Sequence, residues 1–330
     1  MSPEPQVSIA LGTDAWTAEG IPLQNELVDI LRRYGVDTLD TARVYGNGAS
    51  ETAIGLMGVT KDFGITTKLP GGFGCDGSTR EGIPKYAKES LEALGVDKVT
   101  TYLIHAPNPM VPITETLDAL QGLYEEGRFE KLGLSNFTAA QVQEAYAYAK
   151  SKGYVLPTVF QGMYSLVARN HESTLFPTLR ELGISIQAYS PVAAGFLVKT
   201  EDDIIQGKGR WDPSTPFGKV LNRNYNRPSL LEFLRDFTHL SKSTGIGQVE
   251  LAYRWVRYNS ALRADLEDMV IVGASKPEQL EQTLRGLEQG PLEDSIVEKL
   301  EAMWKKIEQD APEDNYVTVM GLLSEGAISF

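Results

Sequence analysis

Cysteine is almost absent from this 330-residue chain. Cys75 is the single one, so neither an intrachain disulfide nor a thiolate metal cluster is expected. Histidine is nearly as scarce, with His105, His171 and His239. None of the three forms an H-E-x-x-H pair, which speaks against metal-assisted hydrolysis and leaves no metal site among the expectations. Basic residues are outnumbered 31 to 44 and the net charge is −13. A chain of that sign is a poor partner for nucleic acid and is repelled by anionic membrane surfaces. No apolar run approaches the roughly 20 residues of a membrane-spanning helix. The start, Met1-Ser2-Pro3-Glu4-Pro5, has neither a basic nor an apolar signal region, so no secretory leader is expected. No Walker A loop is read, and no G-x-G-x-x-G after a strand is expected. With 42% hydrophobic and 23% charged residues the composition is globular, and a cytoplasmic protein is the expectation.

What is there is alternation. Short apolar or β-branched runs at 7–11, 38–42, 64–68, 99–104, 131–135, 158–161, 184–189 and 269–272 read as strands. Helical patterns follow them. Leu23, Leu27, Ile30, Leu31 and Tyr34 share one face before Gly35, and Ile113, Leu117, Leu120 and Tyr124 do so before Gly127. Further helices are read near 50–57, 86–94, 138–152, 175–182 and 277–287. Eight strand–helix units without an internal linker favour a single (β/α)8 TIM barrel domain over 1–330, ahead of an open doubly wound sheet. Two parts lie outside the repeat. One is a long Gly-, Asn- and Pro-rich connection, 196–228, with an extra helical stretch near 248–256. The other is a C-terminal helix, 295–307, with an irregular tail. Long connections of this kind are usually functional, so both are candidate walls of a site at the barrel mouth.

Polar residues end the strands. Asp40 closes the second, with Tyr45 five residues on, and Lys68 closes the third. His105 follows the fourth, Ser135 and Asn136 the fifth, and Gln161 the sixth. In a closed parallel barrel all of these converge on one mouth. Taken singly, each has an ordinary explanation as a cap, a packing residue or a solvated charge. Taken together they suit one task. A free phenol is a weak acid near pKa ~10. A lysine ammonium beside it is expected to pull that value down, and an aspartate keeps the ammonium charged. An imidazole orients a carbonyl oxygen. The set fits proton delivery to an oxygen that gains charge, as in hydride transfer to an aldehyde or ketone.

The segments Asp40-Thr41-Ala42-Arg43-Val44-Tyr45-Gly46, Leu94-Gly95-Val96-Asp97 with Leu103-Ile104-His105, and Lys131-Leu132-Gly133-Leu134-Ser135-Asn136-Phe137 resemble the three signature regions of aldo-keto reductases. The likeness continues through Gln161-Gly162-Met163-Tyr164, Leu175-Phe176-Pro177 and Ala188-Tyr189-Ser190-Pro191 to Gly273-Ala274-Ser275-Lys276-Pro277-Glu278-Gln279-Leu280. Gln161 to Tyr164 and the run 287–293 are most similar to the aflatoxin-aldehyde reductase branch. The resemblance implies Tyr45 as general acid, Lys68 as its neighbour, Asp40 as the lysine's partner and His105 as the carbonyl-orienting group. It implies NADPH/NADP+ as cofactor, extended across the mouth without a Rossmann fold. Ser135, Asn136 and Gln161 then bind the nicotinamide carboxamide, and Tyr189 stacks on the ring. Ser190, Pro191, Val192 and Gly195 line the pyrophosphate. Gly273, Ser275 and Gln279 hold the adenosine half at a helix N-terminus, and Arg210 or Lys276 meets the 2′-phosphate. Two departures bear on adenine contacts. The usual loop lysine falls where Thr200 stands, beside Lys199, and a Glu-Asn pair appears as Gln282-Thr283.

The substrate is expected to be a small-molecule carbonyl compound. Arg43 and Arg223 are candidates for an acidic group on it, and Trp16, Phe73 and Trp211 for apolar walls. Cys75 and the glycines of 71–77 are expected in a flexible loop without redox chemistry. A nucleotide-binding partner or sensor protein on the same fold stands as the alternative, and a Schiff-base lyase using Lys68 as a third reading. A homodimer is left open.

Overall fold

The computed structural model describes residues 6–74 and 76–328, so Cys75 and Met1–Pro5 lie outside the described residues. Eight parallel strands close on themselves in sequence order: β1 Ser8–Gly12, β2 Thr38–Asp40, β3 Gly64–Leu69, β4 Val99–Ile104, β5 Phe129–Ser135, β6 Pro157–Met163, β7 Ser185–Tyr189 and β8 Met269–Gly273. Helices cover the outside. This is the (β/α)8 barrel that the alternation predicts, with strand edges differing by a residue or two. The strands read as nearly continuous apolar runs because both faces are buried, one in the barrel lumen and one under the helices. Among the described residues no helix is long and apolar enough to cross a membrane.

Local chemistry sets the helix ends. Thr138 and Gln141 form a reciprocal capping box that starts helix Ala139–Lys152, and Gly153 ends it at φ 68°, a left-handed value that glycine adopts without a side-chain clash. The connection after β7 is more ordered than its composition predicts. It contains helices Glu201–Ile205 and Pro216–Tyr225, and Pro228–Thr244 follows at once. Pro216 and Pro228 act as first-turn residues, where a missing N–H costs nothing, rather than as breakers. The tail is not irregular either. Helix Asp294–Ile307 is followed by Asn315–Ser324, capped by Asp314, whose carboxylate accepts from the Val317 N–H at 2.7 Å. The helix expected over 175–182 is split into His171–Thr174 and Phe176–Glu181.

The seam between β7 and β8 has the fewest register pairs for strands of its length, Gln187 with Met269 and Ala188 with Val270. Asp268, fully buried just before β8, reinforces it from the amino end. Its carboxylate accepts from the Ile186 N–H at 2.7 Å, the Arg263 N–H at 2.7 Å and Arg180 Nη1 at 2.9 Å, with Arg180 Nη2 on the other oxygen. Removing it leaves a guanidinium and two amides without their acceptor. Asp268→Ala is expected to cost about 3–5 kcal/mol in urea unfolding; a loss under about 1 kcal/mol would show that the clamp is dispensable.

Candidate active site

The carboxyl end of the barrel is held together by a buried ion pair. Asp40 is the last residue of β2, and Lys68 stands one residue before the end of β3. The Lys68 side chain is fully buried, and its Nζ donates to Asp40 Oδ1 at 2.6 Å and to the Thr41 carbonyl at 2.7 Å. Asp40 Oδ2 accepts from Gln161 Nε2 at 2.7 Å, and the same nitrogen donates to Gln187 Oε1 at 3.0 Å. β2 and β6 stand opposite one another in the eight-strand ring, so the Asp40–Gln161 bond crosses the lumen. Burying two charges is costly unless their remaining hydrogen-bonding capacity is met. Here Gln161 and the Thr41 carbonyl meet it.

Tyr45 follows β2 in the turn Tyr45–Gly48, where Gly46, Asn47 and Gly48 have φ of 56°, 52° and 90°. Lys68 Nζ lies 5.1 Å from the centre of the Tyr45 ring. His105, the first residue after β4, meets Tyr45 edge to face at 5.7 Å between ring centres. Asp40, Tyr45, Lys68 and His105 therefore stand together, brought from three successive strand ends. The titration behaviour differs from the sequence expectation. Burial, aided by the Asp40 charge, holds the Tyr45 phenol well above its ordinary value. Burial also lowers Lys68, against the opposing pull of Asp40. The resting phenol beside the ammonium is thus raised rather than lowered. Desolvation of the phenolate outweighs the nearby cation. Burial, with Lys68 second, depresses His105 well below the usual histidine value, so its imidazole is neutral at pH 7.

The other rim residues are linked to this group. Asn136 follows β5 in a left-handed conformation, φ 62°. Its Nδ2 donates to the His105 carbonyl at 2.8 Å and to Ser135 Oγ at 3.1 Å, while Tyr189 donates its phenol to Asn136 Oδ1 at 2.9 Å. After β7 the backbone turns sharply. Ser190, Ala193 and Ala194 have φ of 56°, 52° and 54°, and Gly195 has 94°. Such values in non-glycine residues are strained and gather at functional loops. Pro191 and Val192 lie inside this turn, and the half-buried Lys199 closes it. At the end of β8 the Gly273 N–H donates to Tyr253. The Ser275 N–H and Oγ both donate to Gln279 Oε1, at 3.3 and 3.0 Å, at the start of helix Pro277–Leu287. Lys276 and Gln282 are exposed, whereas Thr283 is buried. Arg210 lies 3.7 Å from Asp14 and over the Phe217 ring at 4.6 Å.

The substrate candidates divide. Phe73 packs edge-on against His105 at 4.9 Å. Trp16 is buried in the core, and Trp211 is buried against Phe196 and Tyr225, so neither indole presents a face to a substrate. Arg43 pairs with Glu51 at 2.7 Å and donates to the Asn47 carbonyl. Arg223 makes a two-pronged pair with Glu325 at 2.8 and 3.1 Å. Both guanidiniums already have internal acceptors, because acidic partners fold against them. The glycine run 71–77 begins as a helical turn at Gly71–Phe73. Contrary to the sequence expectation, a G-x-G-x-x-G of Gly72, Gly74 and Gly77 does follow β3, but helix Gly82–Leu94 starts only after a further turn, so it is no strand-to-helix fingerprint. Sequence reasoning missed Gln187, whose signal was a lone amide inside a strand buried on both faces. It also missed the hydroxyl web of Thr13, Thr41 and Ser50 behind Asp40. Tyr316 was missed as well. It meets Phe73 edge-on at 5.4 Å and donates to the Pro107 carbonyl at 2.5 Å, more than 200 residues away in sequence.

Known proteins resemble this chain over most of its length. The model of the aldo/keto reductase family matches residues 8–305. "Oxidoreductase sirO" of Leptosphaeria maculans is 42% identical over 288 residues, covering 87% of each chain. "Aflatoxin B1 aldehyde reductase member 2" of Homo sapiens is 34% identical over 327 residues, covering 94% of this chain and 90% of its own. The rat protein of the same name is 35% identical over 294 residues, covering 84% of this chain and 79% of its own. A match that runs from the first residue of β1 into the helix beyond β8 takes in every strand of the barrel, and the chain belongs to the aldo/keto reductase family.

Proposed function

We propose that this protein reduces an aldehyde or ketone to the alcohol with NADPH, using Tyr45 as proton donor. The observation that carries the reading is the Lys68 ammonium, fixed by Asp40 and Thr41 and set 5.1 Å from the Tyr45 ring. The donor set of the rim fits a nicotinamide dinucleotide. Gln161 commits both amide hydrogens to Asp40 and Gln187, which leaves Oε1 as an acceptor for a carboxamide N–H. Ser135, Asn136 and Tyr189 stand beside it on neighbouring strand ends. The turn with Ser190, Pro191, Val192, Gly195 and Lys199 suits the pyrophosphate. The exposed N-terminus of helix Pro277–Leu287, with Gly273, Ser275 and Gln279, and Gln282 a turn further on, suits the adenosine half, whereas the buried Thr283 offers it no contact. Arg210 offers a cation for a 2′-phosphate. The bound dinucleotide supplies a hydride to the carbonyl carbon.

The residues of the chain handle the oxygen. As the carbonyl carbon gains hydride, its oxygen becomes an alkoxide, and Tyr45 gives that oxygen the phenolic proton. A phenol is intrinsically a stronger acid than an alkanol, and both oxygens lie in the same dry site, so transfer from Tyr45 to the alkoxide runs downhill. Lys68, held against Asp40, stabilises the negative charge that passes through the phenol during transfer. Asp40 keeps the ammonium charged and in place. Neutral His105 orients the carbonyl by hydrogen bonding without competing as an acid. The names of the relatives point to an aldehyde as the substrate class.

Tyr45→Phe is expected to lower kcat by about 10²–10⁴-fold, the usual contribution of a positioned acid, with NADPH affinity retained in fluorescence titration. Undiminished turnover of benzaldehyde by that variant removes the reading. The pH profile of reduction provides a second check. Because His105 titrates well below 6.5, kcat/KM is expected to show no inflection near that value. The alkaline limb is expected below the ordinary lysine value of 10.5, since burial lowers Lys68. An inflection at 6.5 would mean that an ionising imidazole drives the reaction instead.

A further inference from the structure

The turn that carries Tyr45 is braced from behind by a carboxylate the proposed chemistry does not use. Glu51 lies in the first turn of helix Ala49–Met57 and is fully buried. Its Oε1 accepts from Thr67 Oγ1 at 2.6 Å, and its Oε2 accepts from Arg43 Nη1 at 2.7 Å. Arg43 passes the connection on. Its Nη2 donates to the Asn47 carbonyl at 3.0 Å, and its backbone N–H donates to the Lys68 carbonyl at 3.2 Å. Thr67 and Lys68 are neighbours on β3, so their side chains leave opposite faces of the strand. Lys68 meets Asp40 on the lumen side, and Thr67 meets Glu51 on the helix side. A closed circuit results, from β3 through Glu51 and Arg43 to the turn and back to β3.

The turn has need of such a brace. Three consecutive left-handed residues after Tyr45 give it no helix or strand ladder of its own, and a strained residue such as Asn47 persists only where its surroundings hold it. The guanidinium lies directly under this backbone, so that a Cβ on Gly48 would fall 1.4 Å from Arg43 Nη2. Glu89, at 3.9 Å from Arg43 Nε, is the other acid facing the guanidinium. It is part-exposed and, unlike Glu51, makes no hydrogen bond to β3.

We propose that Glu51, acting through Arg43, is a positioning residue for Tyr45: the buried pair sets the place of the phenol relative to the Lys68 ammonium. The inference rests on the reading of Tyr45 as proton donor. It also accounts for Arg43, which the sequence had offered for substrate. Glu51→Gln keeps the volume of the side chain and removes the charge that holds the guanidinium.

In the full-length enzyme with saturating NADPH and benzaldehyde, Glu51→Gln is expected to lower kcat about a hundredfold, the effect of a displacement near 1 Å. NADPH Kd stays at the wild-type value. The solvent deuterium isotope effect on kcat rises, because proton delivery becomes the slow step. Thr67→Val, which removes a single hydroxyl, shows the same rise in smaller degree and serves if Glu51→Gln does not fold. Wild-type kcat in a folded Glu51→Gln enzyme overturns the proposal. So does a fall in Tm or kcat with an unchanged isotope effect, which marks a merely structural role. Tyr45→Phe is the control. If it turns over normally the proton-donor reading itself fails, whereas an inactive Tyr45→Phe beside a normal Glu51→Gln removes only this inference.

Discussion

A lysine side chain with no exposure to solvent is an expensive thing to fold around, and the mouth of this barrel is organised to keep one charged. Asp40 gives Lys68 its counter-ion, the Thr41 carbonyl a second acceptor, and Gln161 reaches across the lumen to satisfy the other oxygen of Asp40. Remove any of these and an unmet charge or lone pair stays behind in a dry place, where it costs more than at the surface. The same dryness gives the ammonium its chemical value. A cation at 5.1 Å from the Tyr45 ring acts far more strongly there than it would in water. Burial raises the resting phenol and lowers the lysine. The useful effect of Lys68 thus falls on the charge that develops during transfer, not on the resting acidity.

The barrel supplies convergence, and secondary contacts supply precision of placement. Asp40, Lys68, His105, Gln161 and Gln187 come from five strands spread over almost 150 residues. Closure of the sheet brings them within hydrogen-bond or ring-contact distance. Tyr45 is different, because it stands in a turn and not on a strand. Its position depends on the Arg43–Glu51 brace on one side and on the edge contact with His105 on the other. Asp268 holds the far end of the barrel at the seam between β7 and β8. Two fully buried carboxylates, Glu51 and Asp268, thus secure opposite ends of one cylinder.

The strands were legible because a fully buried parallel strand leaves a short apolar run that few other structures produce. Polar residues at the ends of those runs marked the mouth for the same reason. The helices after β7 were less visible. The prolines of 196–228 read as part of an irregular connection, although Pro216 and Pro228 begin helices. Asn315–Ser324 has apolar residues on nearly every face, so it has no stripe for periodicity to find. Loop aromatics carry no mark of burial, and Trp16 and Trp211 were placed at the site while Tyr316 was overlooked. The arginines misled for a similar reason. Nothing in the sequence ties Arg223 to Glu325, which lies 102 residues away. The direction of the phenol shift needed a knowledge of desolvation that charge counting does not hold.

Coupling between Lys68 and Tyr45 is the claim on which the rest stands, and a double-mutant cycle on single-turnover rates measures it most directly. Lys68→Met, Tyr45→Phe and the double variant are mixed, pre-loaded with NADPH, with a saturating aldehyde, and the rate of nicotinamide oxidation is followed. If the ammonium works through the phenol, the double variant is no slower than Tyr45→Phe alone. Losses that multiply would mean that the two side chains act independently, and the account would be contradicted.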